Sequence, residues 1–224
     1  MTTRLSPGST SFLACPPVIS LKPIVLYLYH MSSFKNYIDK ITALDSDLFH
    51  LLDSLSEKSA LKKAEVFIHA NSRFNKEIFI ETGVLRSYIV DEHGNDRTTA
   101  FFTGGEFVST NTFRTINGRS SCFYQALGPA SIRLFDSHKL KSTLSDNNIL
   151  SLLGREIKEK IINRINQRDE CIAQVKATDR YLKFIEYYPD LEHKISHHYI
   201  ATFLGITPVS LSRVRKKLRN SIKH

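Results

Sequence analysis

The sequence predicts an α+β fold made of an N-terminal β-roll of the jelly-roll kind, one long helix and a C-terminal helix-turn-helix. Three observations predict it. Between residues 77 and 108, β-branched and aromatic residues alternate with polar ones, and two further short runs of this kind follow at 121–127 and 131–135; a period of two is the mark of strands with one face buried. From about 144 to 173 the apolar residues recur every three or four positions, which is the period of a helix. At 197–216 a small residue, Ala201, stands four positions before Gly205, between two short apolar stripes. That spacing lets two helices approach closely and turn sharply.

The elements follow in order. Residues 1–30 are rich in Ser, Thr and Pro and contain no acidic residue; they read as a disordered extension or a mis-assigned start, with the working chain beginning at Met31. Lys22 and Pro23 interrupt the apolar run near their end, unlike the continuous core of a secretion signal. From Met31 to about Ser59 the residues Tyr37, Ile38, Ile41, Leu44, Leu48, Leu51, Leu52 and Leu55 predict one helix. The strands of the roll come next, with AspGluHisGlyAsn at 91–95 as a hairpin turn and Gly128-Pro129 as a corner. The roll is expected to span 31–143.

In the helix at 144–173, Ile149, Leu153, Ile157, Ile161, Ile165 and Ile172 form an apolar stripe. Its length and its place between two domains favour a dimer helix. A further amphipathic helix is expected at 178–188, ended by Pro189, and residues 174–224 form the helix-turn-helix domain. Within it Ile200, Leu204, Ile206, Leu211 and Val214 supply the contacts between the two helices. Thr207 caps the second, and Pro208 takes its first position, where a missing N–H is harmless.

The charge is not spread evenly. Of a net +9, six positive charges fall between Thr207 and His224 with no acidic residue among them, and Arg4 and Lys22 add two more. The stretch from 31 to 206 is therefore close to neutral. A basic excess concentrated on one helix is the footprint of a phosphate-binding surface, so double-stranded DNA is the expected partner. Ser210, Ser212, Arg213, Lys216 and Lys217 lie on the outward face of the second helix, with Arg215 and Arg219 on its flanks. Arg213 is placed to pair bidentately with guanine, while Lys216, Lys217 and Arg219 suit phosphates.

Other classes find less support. With 42% hydrophobic and 24% charged residues the composition is globular, and no run approaches the roughly 20 apolar residues of a membrane span. Cys15, Cys122 and Cys171 are too few and too scattered for a disulfide framework or a cysteine metal site, which favours a reducing cytoplasm. An enzyme built in the roll would need several His and a carboxylate converging on a metal. His69 and His93 are isolated, and the neighbours His197 and His198 diverge on a helix, so neither catalysis nor a metal is expected. A β-barrel that serves only to bind other proteins remains a further alternative.

The motifs at 199–217 (TyrIleAlaThrPheLeuGlyIleThrProValSerLeuSerArgValArgLysLys) and 101–108 (PhePheThrGlyGlyGluPheVal), in this order along the chain, resemble the Crp/Fnr family of transcription regulators. The resemblance covers residues 31–220. It implies a cyclic-nucleotide-binding-like β-roll, a homodimer formed through the long helix, and a two-fold symmetric operator whose half-sites lie about one helical turn apart. RNA polymerase is a further partner that it implies. Members that bind cyclic AMP hold the ribose with a Gly-Glu and the phosphate with an Arg-Ser. Gly105-Glu106 matches the first and Arg119-Ser120 the second, although Arg119 follows Glu106 by 13 positions. A cyclic nucleotide or another small-molecule effector is the ligand so implied, and no cofactor is expected with certainty. Pro208 and Val209 replace two base-reading residues of the catabolite activator, so only Arg213 carries over. The oxygen sensors of the family hold an iron–sulfur cluster with an N-terminal cysteine group, and Cys15 alone does not make one.

Overall fold

The computed structural model describes residues 33–41, 46–108, 118–145 and 148–221. Residues 1–30 lie outside the described residues. From Ser32 onward the chain is one compact unit.

Two helices open it, α1 (Ser33–Ile41) and α2 (Ser46–Ser54), followed by strand β1 (Ser56–Leu61). The single helix expected over 31–59 is therefore corrected. Only Leu61 of β1 is buried, so the strand carries almost no apolar signal of its own. What makes it a strand is its pairing with β8 (Ala130–Asp136), residue by residue from Ser56 with Phe135 to Leu61 with Ala130.

Strands β2 (Val66–Ile68), β3 (Lys76–Thr82), β4 (Val84–Val90), β5 (Asp96–Thr103), β6 (Glu106–Val108) and β7 (Phe123–Ala126) complete the roll. They form two four-stranded sheets, ordered β1-β8-β3-β6 and β2-β7-β4-β5. The hairpin at 91–95 closes as expected, with the Asp91 carboxylate accepting from the backbone N–H of His93 and Asn95.

Ile78, Ile80 and Ile132 of the first sheet meet Leu85, Phe102 and Tyr124 of the second to form the inner core. Phe79 and Phe135 face the other way, against Phe34, Tyr37 and Leu153 of the helices. The first sheet is thus covered on both faces, and for that reason Ile78, Phe79 and Ile80 read as a continuous apolar run.

After β8, helix α3 (Ser137–Leu144) starts on an Asp136 cap, whose carboxylate accepts from the N–H of His138 and Lys139. The connecting helix α4 (Ile149–Ala173) follows, so the long helix begins five residues later than its periodicity suggests. It leads into α5 (Ala177–Tyr187), the short α6 (Leu191–Lys194), α7 (His197–Leu204) and α8 (Pro208–Ser221).

The C-terminal helices share a core with the roll. Phe101 on β5 packs against Phe184, Tyr188 and Phe203 at ring separations of 6.2, 6.4 and 5.1 Å. Beside it Thr98 and Thr202 are hydrogen-bonded at 2.8 Å.

Candidate nucleic-acid interface

Helix α7 begins at Ser196, whose hydroxyl accepts from the His198 N–H at 3.3 Å. Its inward face consists of Ile200, Ala201, Phe203 and Leu204, all fully buried. It stops at Gly205, which has φ +63°. That left-handed conformation is cheap only for a residue without Cβ. The N–H groups of Gly205 and Ile206 both turn back to the Ala201 carbonyl, the latter at 3.0 Å. Arg180 of α5 then closes the end, donating to the carbonyls of Leu204 at 3.1 Å and Gln174 at 2.7 Å. No sequence motif singles out this arginine, because its partners are backbone atoms from two other elements.

Helix α8 restarts the chain through Thr207, whose hydroxyl oxygen accepts from the Ser210 N–H at 3.1 Å. Leu211 and Val214 are buried against α5 and α7. This fixes which side of α8 faces outward. Ser212, Arg213, Lys216, Lys217 and Arg219 are exposed on that side, with Thr207 exposed at its start and Ser210 half-buried beside it. Arg213 and Lys216 form no ion pair with any described residue. Their charge is therefore available to an outside anion.

Arg215 sits differently. It is half-buried, and its Nε donates to Glu192 at 2.8 Å and to the Tyr181 hydroxyl at 3.1 Å. The Tyr181 hydroxyl also donates to Glu192. Burial pushes Tyr181 up to about 12, with Glu192 adding to the rise. Burial works against the charged form of Glu192 as well, yet the bonds from Tyr181 and Arg215 outweigh it and hold its carboxyl below the usual range. Arg215 thus ties α8 to α5 and α6, whereas sequence reasoning grouped it with the outward cations.

Among the four residues matched to a nucleotide site, the side chains of Glu106, Arg119 and Ser120 each have partners within the chain. Gly105 turns at φ +87° before β6. Glu106 is nearly buried, with one carboxylate oxygen accepting from the Thr103 N–H at 2.5 Å and the other from Arg164 of α4 at 2.5 Å. Arg119 donates to the Asn71 carbonyl at 2.6 Å, and the Ser120 hydroxyl to that of Cys122 at 2.7 Å. The Glu106 carboxylate is thus bonded within the chain through both of its oxygens.

The histidines stay apart. His197 approaches Arg215 at 3.3 Å and His198 approaches Asp96 at 3.4 Å. Among the described residues no three His, Cys, Asp or Glu side chains converge on a point, and no helix is long and apolar enough to cross a membrane. Cys122 and Cys171 are buried and free of disulfides. Burial pushes the Cys171 thiol up to about 11.

No family model matches the chain. It is 23% identical over 184 residues to the anaerobic regulatory protein of Haemophilus influenzae, a match that covers 80% of this chain and 66% of that relative. The chain thus spans about two thirds of that relative's length. Among solved structures it superposes on FixK2 from Bradyrhizobium japonicum with a TM-score of 0.64 and 17% identity, covering 74% of this chain and 85% of that one. A transcriptional regulator of the CRP/FNR family from Thermus thermophilus gives 0.58 at 16% identity, over 74% and 87% of the two chains. These structural matches establish the fold, and the sequence relatives are named as regulators rather than enzymes. With a β-roll, a connecting helix and a basic second helix behind a glycine turn in the same order, the chain has the fold of the solved CRP/FNR-type regulators and is similar in sequence to proteins named as anaerobic regulatory proteins.

Proposed function

We propose that the protein is a dimeric, sequence-specific regulator that lays α8 in the major groove, with Arg213 at a base edge and Lys216, Lys217 and Arg219 on phosphates. The observation that carries this reading is the exposed cationic side of α8, turned outward by the burial of Leu211 and Val214 and by the left-handed turn at Gly205. Thr207, Ser210 and Ser212 lie at the groove end of the helix, where short hydroxyls suit phosphate oxygens. Arg215 acts by holding α8 in place.

In this reading residues 31–143 form the roll, 144–173 the dimer helix and 174–224 the DNA-binding domain. The pairing surface is the side of α4 that carries Leu150, Gly154, Ile157, Ile161 and Ile165. A groove of about 250 Å³ runs along it, and Ile162 and Ile165 are 46% and 49% exposed. A second copy of α4 laid against this side would cover the apolar residues. The cytoplasm, where DNA and RNA polymerase are available, is the compartment that goes with this role.

The test is selection of bound sequences from random duplex DNA with the full chain at fixed salt. A palindromic site with half-sites about one helical turn apart is the expected result. Lys216→Ala should then weaken all duplexes about equally and flatten the salt dependence of binding by about one unit of slope. No enrichment of any sequence would refute the proposal.

A further inference from the structure

The carboxylate of Glu106 lies where β6 leaves the Gly104-Gly105 turn, under the middle of α4. Both of its oxygens are used: the Thr103 N–H takes one at 2.5 Å and Arg164 takes the other at 2.5 Å. The two side chains are only 11% and 13% exposed. Arg164 also lies over the Phe102 ring, 4.5 Å from its centre. One guanidinium thus joins β5, β6 and the connecting helix in a single buried contact.

From this geometry we infer that Arg164 is a positioning residue that stands in for an effector, holding α4 on the roll so that the protein reaches its DNA-binding form without a cyclic nucleotide. The inference rests on the regulator reading above. A buried carboxylate needs an ionic partner or strong hydrogen bonds, and here both come from the chain itself. A ligand hydroxyl could reach Glu106 only by displacing Arg164, which would leave a desolvated cation against Phe102. Arg119 has a partner of its own, one guanidinium nitrogen donating to the Asn71 carbonyl at 2.6 Å. Because α4 runs directly into α5, against which α8 packs, the pitch that Arg164 gives α4 is passed on to the DNA-binding helices.

The test uses the full-length chain, its Arg164→Met, Arg164→Lys and Glu106→Gln variants, and the duplex chosen by selection. Melting temperature and sedimentation report fold and dimerisation, anisotropy reports DNA affinity, and calorimetry with millimolar cyclic AMP reports nucleotide binding. The wild type should give no heat with cyclic AMP and the same DNA affinity with or without it. Arg164→Met and Glu106→Gln should remain dimeric while binding the duplex about tenfold more weakly, and Arg164→Lys should recover most of the loss. If Arg164→Met does not fold, Glu106→Gln decides, because it keeps the acceptor for Thr103 and removes only the ion pair. Cyclic AMP that binds the wild type and tightens DNA would overturn the inference and leave the regulator reading intact. Full DNA affinity in both Arg164→Met and Glu106→Gln would do the same. A wild type that selects no duplex removes the regulator reading and this inference together.

Discussion

Arg213 and Arg215 are two positions apart on one helix, and their truncation should have opposite consequences. Arg213 is exposed and forms no ion pair among the described residues, so Arg213→Ala should change stability by no more than about 0.5 kcal/mol. If it reads a base, the same change should cost about 1–3 kcal/mol of DNA affinity and relax the choice at one position of the site. Arg215→Ala removes the hydrogen bonds to Glu192 at 2.8 Å and to Tyr181 at 3.1 Å, together with the contact to His197 at 3.3 Å, and takes the ionic partner from the carboxylate of Glu192, which is only 14% exposed. Hydrogen bonds to charged groups contribute about 1.5–3 kcal/mol, so a loss of that order is expected in the folded state. For a unit of this size it corresponds to a fall in melting temperature of roughly 3–12 °C. Thermal melts and anisotropy titrations on both variants separate the two effects. An Arg215→Ala protein as stable as the wild type but specifically impaired on DNA would refute the assignment, and so would an Arg213→Ala protein that binds every duplex normally.

Other expectations can be checked by the same methods. Gly205→Ala should cost about 1–2 kcal/mol, because φ +63° strains a residue with Cβ, and it should also weaken DNA binding by shifting α8. Gly94→Ala, at φ +81° in the 91–95 hairpin where an added Cβ meets open space, should cost a similar amount, read as a lower melting temperature, and leave DNA affinity unchanged. The carboxyl of Glu192 is held below its ordinary value, so its stabilisation is complete above the unfolded value of about 4.3 and is lost as pH falls through the lower folded one. Urea titrations between neutral pH and pH 3 should therefore show a shallower acid loss for Glu192→Gln than for the wild type; identical slopes would count against the ion pair. Phe203→Ala opens the core shared by α7 and the roll and should cost about 3–5 kcal/mol, read as a lower urea midpoint.

Much of the fold was legible because its signals are local. The β-branched and aromatic runs of β3 to β5, the hairpin at Asp91 to Asn95 and the Ala201 to Gly205 turn each depend on residues within a few positions of one another. The elements that were not legible depend on distant partners. β1 is a strand because β8, 69 to 79 positions further along the chain, offers it an edge, and SerGluLysSerAlaLeu carries no pattern of its own. The break between α3 and α4 shows only as a step of five from Leu144 to Ile149, since Leu140, Leu144, Ile149 and Leu153 all pack into the same core on either side of it.

The sites divide in the same way. Sequence alone determined that the second helix of the turn is basic, capped by Thr207 and apolar on one side, because a helix places residues three and four apart on a common face whatever surrounds it. It could not separate Arg213 from Arg215, whose difference lies in Glu192 and Tyr181 on other helices. Nor could it separate a carboxylate waiting for a ligand from one already bonded to Arg164, 58 positions along the chain. Ionic and hydrogen-bonded partners are chosen in space, and only the tertiary structure decided which cations face outward and which hold the molecule together.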